Sequence, residues 1–277
     1  MAGKKKDTSL LHHLIGSRSL VWNLAKNDIK KKFAGSYFGV VWAFVQPVIT
    51  VLLYWFVFEK GLNSKATDLR TGIEIPFVLW LTAGLVPWFY FQEALNGGTG
   101  VLVEYSYLVK KVVFQIDMLP VVKMISALFT HLFFVAFTIV LFICMGYMPD
   151  WYALQVIYYS FCMILFATGL VYATSAVTVF FRDMKEVVGI LLQIGMWVTP
   201  IMWNFETMVQ IPGWAIAVLK LNPMYYIVSG YRNALINHIG FWEDMGLTVY
   251  FWVVTAVLLF LGTTVFKKLR SHFADVL

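Results

Sequence analysis

Six stretches of this chain are apolar over the roughly 20 residues that a bilayer-spanning helix needs. They are Tyr37–Phe58, Ile75–Leu95, Val121–Gly146, Ala153–Phe181, Val187–Trp203 and Leu247–Phe266. The pattern predicts an all-α integral membrane protein with six transmembrane helices. The fourth stretch is longer than the hydrocarbon requires, so it is expected to tilt or run into the headgroups. The fifth is short and ends at Thr199-Pro200. No connection is long enough for a second domain, so residues 1–277 read as a single transmembrane domain.

Composition agrees with the pattern. Hydrophobic residues make up 60% and charged residues 13% of the 277 positions, against roughly 45–50% and about 25% in soluble domains. With 11 Trp, 14 Tyr and 24 Phe, too few polar residues remain to cover a water-facing surface, which excludes a soluble enzyme, a disordered regulator and a disulfide scaffold. The net charge of +6 points to cytoplasmic loops rather than nucleic acid. Segments on the side of the termini carry 15 Lys and Arg, and the opposite segments carry 5. By the positive-inside rule both termini are expected in the cytoplasm. Cys144 and Cys162 sit inside apolar runs and read as small buried hydrophobes.

The connections carry structure of their own. In the N-terminal segment Val21, Trp22, Ala25, Ile29 and Phe33 share one helical face, with Lys26, Lys30 and Lys31 elsewhere. This predicts an amphipathic interface helix over 8–34, the alternative being a plain basic anchor. Gly35-Ser36 then breaks the helix. The segment 96–120 opens with Asn96-Gly97-Gly98-Thr99-Gly100, a run of helix breakers. A short amphipathic helix over 101–112 is expected to follow, with Leu102, Tyr105, Val109 and Val112 on its apolar face and Lys110-Lys111 near its end. Facing the cytosol, it suits docking to another protein. Across the chain, 204–246 holds two apolar pieces too short to span, and Asn222-Pro223 marks a helix start. The region 204–238 therefore reads as re-entrant helices, tolerated when buried in protein or lining a cavity.

Catalytic and nucleotide motifs are missing from the sequence: there is no G-x-x-x-x-G-K, G-x-S-x-G, H-E-x-x-H or C-x-x-C. No metal site and no catalytic residue is expected. His131 falls in the third span, where an ionisable group is either functional or a neutral imidazole bonded to a neighbouring helix. Mid-span carboxylates are almost absent, which argues against proton coupling. A transporter of this kind must draw force from a partner; a lipid-handling membrane enzyme could also lack such charge.

Ordered pieces along nearly the whole chain resemble the membrane subunit of type 2 ABC exporters of polysaccharides and teichoic acids. They are Leu24-x-x-x-Asp28-Ile29-Lys30-x-Lys32-Phe33, Ser36-Tyr37-Phe38-Gly39-x-x-Trp42-x-x-x-x-Pro47, Leu108-Val109-Lys110-Lys111-x-x-Phe114 with Leu119-Pro120, Phe181-Arg182-Asp183, Gln193 with Thr199-Pro200-Ile201, and Asn222-Pro223 with Arg232. Gln115 departs from the family pattern, which often has Pro there. The resemblance implies a homodimer in a bacterial plasma membrane that pairs with two copies of a cytoplasmic ABC ATPase. It implies that ATP and magnesium belong to that ATPase, with no cofactor in this chain. The cargo would be an undecaprenyl-diphosphate-linked polymer, with wall teichoic acid favoured over O-antigen or capsular polysaccharide. An exporter of small hydrophobic compounds and a membrane enzyme acting on polyprenyl phosphates are the rival readings. Residues 101–112 would be the coupling helix, and Trp22, Asp28, Lys30 and Phe33 would belong to the interface helix. Phe38, Trp42, Val45, Ile49, Leu52 and Phe56 share one face of the first span. Such aromatic faces can stack on sugars and line a tunnel, the alternative being a helix–helix or lipid-facing stripe. Arg232 could meet phosphates, or snorkel, or pair with Glu206.

Overall fold

The structure is a computed structural model that describes residues 18–32, 34–110, 115–203 and 212–277. Apart from a two-residue hairpin, its regular elements are helices. Helix α1 (Arg18–Lys32) is followed by Gly35 at φ 82°, the turn that the Gly35-Ser36 pair announces. A single 3₁₀ turn (Gly39–Val41) leads into α2 (Trp42–Trp55), which widens to a π-turn over Phe56–Gly61. The antiparallel strands β1 (Ala66–Thr67) and β2 (Glu74–Ile75) pair before α3 (Phe77–Glu104). After the single turn α4 (Ser106–Val109) come α5 (Met118–Cys144), α6 (Gln155–Phe180, entered through a 3₁₀ turn at Trp151) and α7 (Met184–Val198). Two short helices, α8 (Gly213–Lys220) and α9 (Pro223–Arg232), precede α10 (Met245–Leu269) and the terminal turn α11 (Phe273–Val276).

Four of these stretches are long and apolar enough to cross a membrane: Trp42–Gly61, Met118–Cys144, Trp151–Phe180 and Met245–His272. At 28 residues α3 is long enough, rising about 42 Å at 1.5 Å per residue, but it carries Pro, Trp, Tyr, Gln, Asn and Glu among its apolar residues. Helix α7, with 15 residues, stops at Val198, short of the expected Trp203.

Helix α3 is the centre of the molecule. Val78, Leu79, Leu81, Ala83, Leu85 and Val86 are all buried, as are Trp88, Tyr90 and Phe91, so the helix is apolar all round and has neighbours on every side. Helices α2, α5, α6, α7 and α9 pack against it. The expected break at Asn96–Gly100 does not occur, because α3 runs through it to Glu104. The glycines serve contact instead: a Cβ on Gly98 would run into the side chain of Val171 on α6. Thr99 closes its own hydroxyl onto Leu95 O at 2.7 Å and onto Thr174 at 2.8 Å. Helices α6 and α10 meet the same way, backbone against backbone, where a Cβ on Gly262 would run into Gly169 O and one on Gly169 would lie 2.7 Å from the Leu258 carbonyl carbon. Small residues drive helix association in lipid, where apolar burial supplies no force between helices.

The amphipathic reading of α1 holds for Val21 and Ala25, which pack on Met118 and Val122 of α5. The expected residues 8–17 and Phe33 lie outside the described residues. Asn222 caps α9 as its position predicts, its side chain accepting from Met224 N at 3.0 Å. Helix α9 is buried between α3 and α6, whereas α8 has no buried residue. Cys162 is buried but Cys144 is exposed at the end of α5, which corrects its reading as a buried hydrophobe.

Candidate functional site

At the end of the molecule where α1 and α11 lie, α1, α2, α3 and α5 surround a cavity of about 640 Å³. Helix α2 contributes Trp42, Gln46, Thr50 and Tyr54; α3 adds Phe89, Gln92, Glu93 and Asn96. The rest of the wall includes Lys123, Ser126 and Thr130 of α5, Asp28 and Lys32 of α1, and Lys185 of α7. Three cations, three aromatic rings and several amides and hydroxyls thus surround one space inside a bundle that is otherwise apolar. Polar groups at this depth are expensive unless paired or functional.

The charges are organised by three ion pairs. Lys32 Nζ lies 2.6 Å from Glu93 Oε1, tying the last turn of α1 to α3. Lys123 Nζ bridges Asp28 Oδ1 at 2.6 Å and Glu104 Oε2 at 2.9 Å. Asp28 is 5% exposed and accepts a second bond from the Tyr105 hydroxyl at 2.9 Å. A buried carboxylate is tolerable with this many donors, and removing one would leave a charge without compensation. Burial pushes the Tyr105 hydroxyl above the usual phenol range, and its bond to Asp28 adds to the shift. The Lys31 ammonium lies over the Tyr105 and Tyr107 rings at 5.2 and 5.9 Å. Helix α1 is therefore locked to the ends of both α3 and α5.

The coupling-helix expectation needs correction at this point. Residues 101–104 belong to α3, α4 covers Ser106–Val109 alone, and Lys111 and Val112 lie outside the described residues. Leu102, Tyr105 and Val109 are buried, packed with Leu119, Tyr172, Val179, Phe266 and Phe273. The apolar face that looks free in the sequence is covered within the chain by the ends of α5, α6 and α10 and by α11. Tyr107 and Lys110 are exposed on the opposite side of the turn.

Arg232 also differs from expectation. It is buried, and its guanidinium donates to Pro200 O and Ile201 O, both at 2.7 Å, and to Trp80 O at 3.3 Å. It lies 3.3 Å from the centre of the Trp80 ring. It clamps the end of α7 to α3 and α9 rather than presenting its charge at a mouth. Gly84 makes room for it, since a Cβ there would come within 2.6 Å of Nη2.

Other sequence candidates divide. Trp42 lines the cavity, whereas Phe38 and Phe56 are exposed on the outside of α2 together with Ile49 and Leu52. Trp22 is half-exposed against the Phe129 ring at 5.2 Å, and Lys30 is exposed. His131 is buried and bonds Ser160 and Tyr231 at 3.2 and 3.1 Å, the arrangement of an imidazole tied to neighbouring helices. Sequence reasoning missed Lys123 and the Lys32–Glu93 pair. The available signal was weak: a lone lysine inside an apolar run and opposite charges at two helix ends.

Apolar helices around a buried bundle, with a charged cavity at one end, define a helical membrane protein. Residues 19–236 match the family model described as ABC-2 type transporter, and the chain belongs to that family. As a member it is a transport subunit and not an enzyme. Among curated relatives, the O-antigen export system permease protein RfbA of Myxococcus xanthus is 25% identical over 266 residues, covering 96% of this chain and 98% of the relative. A Klebsiella pneumoniae protein of the same name is 22% identical over 258 residues, covering 92% and 93%. These relatives are named for O-antigen, not for teichoic acid.

Proposed function

We propose that this chain is the permease subunit of an ATP-driven exporter of a lipid-linked polysaccharide of the O-antigen class. The reading moves from the teichoic acid expected of the sequence to the alternative, because full-length relatives carry the O-antigen name. In this reading α3 and α7 join the four long apolar helices as membrane crossings. The six-span chain then has both termini in the cytoplasm, in keeping with the basic residues on that side. Two copies pair through the exposed faces of α2 and α7, where Ile49, Leu52, Leu53, Ile190, Leu191 and Trp197 lie bare in the single chain. Two copies of an ABC ATPase bind from the cytoplasm, and they hold the ATP and magnesium.

The observation that carries the proposal is the cytoplasmic cavity. Lys185 offers charge to a diphosphate, beside Lys32 and Lys123, whose ion pairs with Glu93 and with Asp28 and Glu104 hold the wall in place, while Trp42, Tyr54 and Phe89 offer faces to the first sugars. Its place beside α2 puts a lipid-linked headgroup next to the surface on which the second copy sits. The test is export in cells that make the polymer and lack their own permease. Trp42→Ala and Lys185→Ala should each lower surface polymer at least fivefold and raise the intracellular lipid-linked pool, with normal amounts of permease and retained ATPase. Unchanged surface polymer in both variants would refute the cavity as the loading site.

A further inference from the structure

A second cavity, of about 260 Å³, lies at the opposite end of the molecule, between α9 and the ends of α3, α6, α7 and α10. Nothing in the loading and export of a headgroup from the other side gives it a role. Its size is near the lower end of small-molecule clefts, about 300–1,000 Å³. Rings of Trp80, Tyr159, Tyr225, Tyr226 and Phe241 contribute to its wall. Ser229, Asn233, Asn237, Lys220 and Glu243 supply polar groups around them.

Several of these side chains are held in place by the fold. Asn237 Oδ1 accepts from Leu69 N at 3.1 Å, and its amide nitrogen donates to Asn233 Oδ1 at 2.8 Å. Glu243 Oε1 accepts from Gly240 N at 2.7 Å, and the Tyr226 hydroxyl meets Tyr158 and Thr248 at 3.0 and 3.1 Å. Other valences remain open. Among the described residues the Ser229 hydroxyl, the Lys220 ammonium and the amide nitrogen of Asn233 have no hydrogen-bond partner, and Glu243 Oε2 has none either. The cavity therefore combines fixed aromatic faces with unused donors and an unused acceptor.

We infer that this cavity binds one pyranose unit of a neutral sugar chain. A pyranose has an apolar face of C–H groups and an edge of hydroxyls that both donate and accept. Aromatic rings serve the first, and the Ser229, Asn233 and Glu243 groups serve the second. Phosphate fits poorly, because Glu243 and Asp244 outnumber Lys220 on the wall and the Arg232 guanidinium is already spent on the Pro200 and Ile201 carbonyls. An acyl chain fits poorly as well, since it would leave these polar groups desolvated without partners. The inference rests on the export reading for the source of the sugar: the chain emerging on the outer side would be held there one unit at a time.

The test reads sugar binding rather than transport. Full-length permease in lipid nanodiscs is titrated with methyl glycosides of mannose, galactose, glucose and N-acetylglucosamine, followed by saturation-transfer NMR. At least one glycoside should bind in the millimolar range, and inorganic phosphate at the same concentration should not displace it. Ser229→Phe, which fills the cavity, should weaken binding at least tenfold. Ser229→Ala, which removes one unpartnered hydroxyl without adding bulk, should weaken it severalfold while the protein keeps its melting temperature. Lys185→Ala in the cytoplasmic cavity should leave it unchanged. Absence of binding by all four glycosides, displacement by phosphate, or equal binding in wild type and Ser229→Ala would overturn the inference. Unchanged export by the Trp42→Ala and Lys185→Ala variants, with glycoside binding intact, would count against the cytoplasmic loading site alone.

Discussion

Asp28 illustrates what a single position reveals and what it hides. Its place within a basic helix marks it in the sequence, yet a carboxylate at 5% exposure makes sense only with Lys123, 95 residues away. No spacing rule reaches that far, so the partner was invisible until the fold brought α1 against α5. The same holds for Arg232, whose carbonyl partners on Pro200 and Ile201 carry no side-chain signal at all. The pair makes a quantitative prediction. Lys123→Met leaves Asp28 buried with only the Tyr105 hydroxyl and should cost about 3–5 kcal/mol, the range for a broken buried pair. Asp28→Asn should cost less, because Lys123 keeps Glu104 at 2.9 Å. The double variant should be more stable than the sum of the two losses by about 0.5–3 kcal/mol, the coupling of groups in one network. Denaturant unfolding of the purified permease measures all three, and simple additivity would dissolve the network as an energetic unit.

At the scale of elements, apolar run length made most helices legible, because a bilayer demands it regardless of packing. Helices α5, α6 and α10 follow their runs closely, and the Asn222 cap sits where its residue type predicts. Glycine misled in α3. In water Asn-Gly-Gly-Thr-Gly reads as a turn, but between membrane helices the missing side chains permit close approach, and Gly98 beside Val171 is the result. The crossing of α6 and α10 depends on the same device more heavily, because Gly262 meets backbone rather than a movable side chain. Gly262→Val should therefore push the two helices apart and leave little folded permease in the membrane. Gly189→Ala on α7 has open space around its Cβ position and should be accepted at normal levels. Fluorescence size-exclusion of detergent extracts distinguishes them, and a monodisperse Gly262→Val protein at wild-type yield would contradict the close-contact account.

For the whole molecule, the question is how force reaches the bundle from outside. The sequence marks residues 101–112 as a docking segment with a free apolar face. Leu102, Tyr105 and Val109 have helical spacing whether the apolar side meets a partner or the protein's own interior, and periodicity cannot distinguish the two. The structure turns them inward, against Leu119, Tyr172, Phe266 and Phe273, which leaves Tyr107 and Lys110 on the outer surface of the turn. That turn joins directly to α3, the helix at the centre of the molecule, and through Tyr105 and Asp28 to α1 beside the cavity. A load applied at Tyr107 would therefore reach both the core helix and the wall of the cavity. Tyr107→Asp combined with Lys110→Glu should therefore leave folding and melting temperature unchanged, since both side chains are exposed, yet reduce ATPase retention on co-purification and abolish export. Leu102→Asp should act differently: a carboxylate buried without a partner costs several kcal/mol, so this variant should be lost before any question of docking arises. Full ATPase retention by the Tyr107/Lys110 variant would eliminate α4 as the contact and move it to the exposed basic side of α1, where Lys26 and Lys30 stand clear.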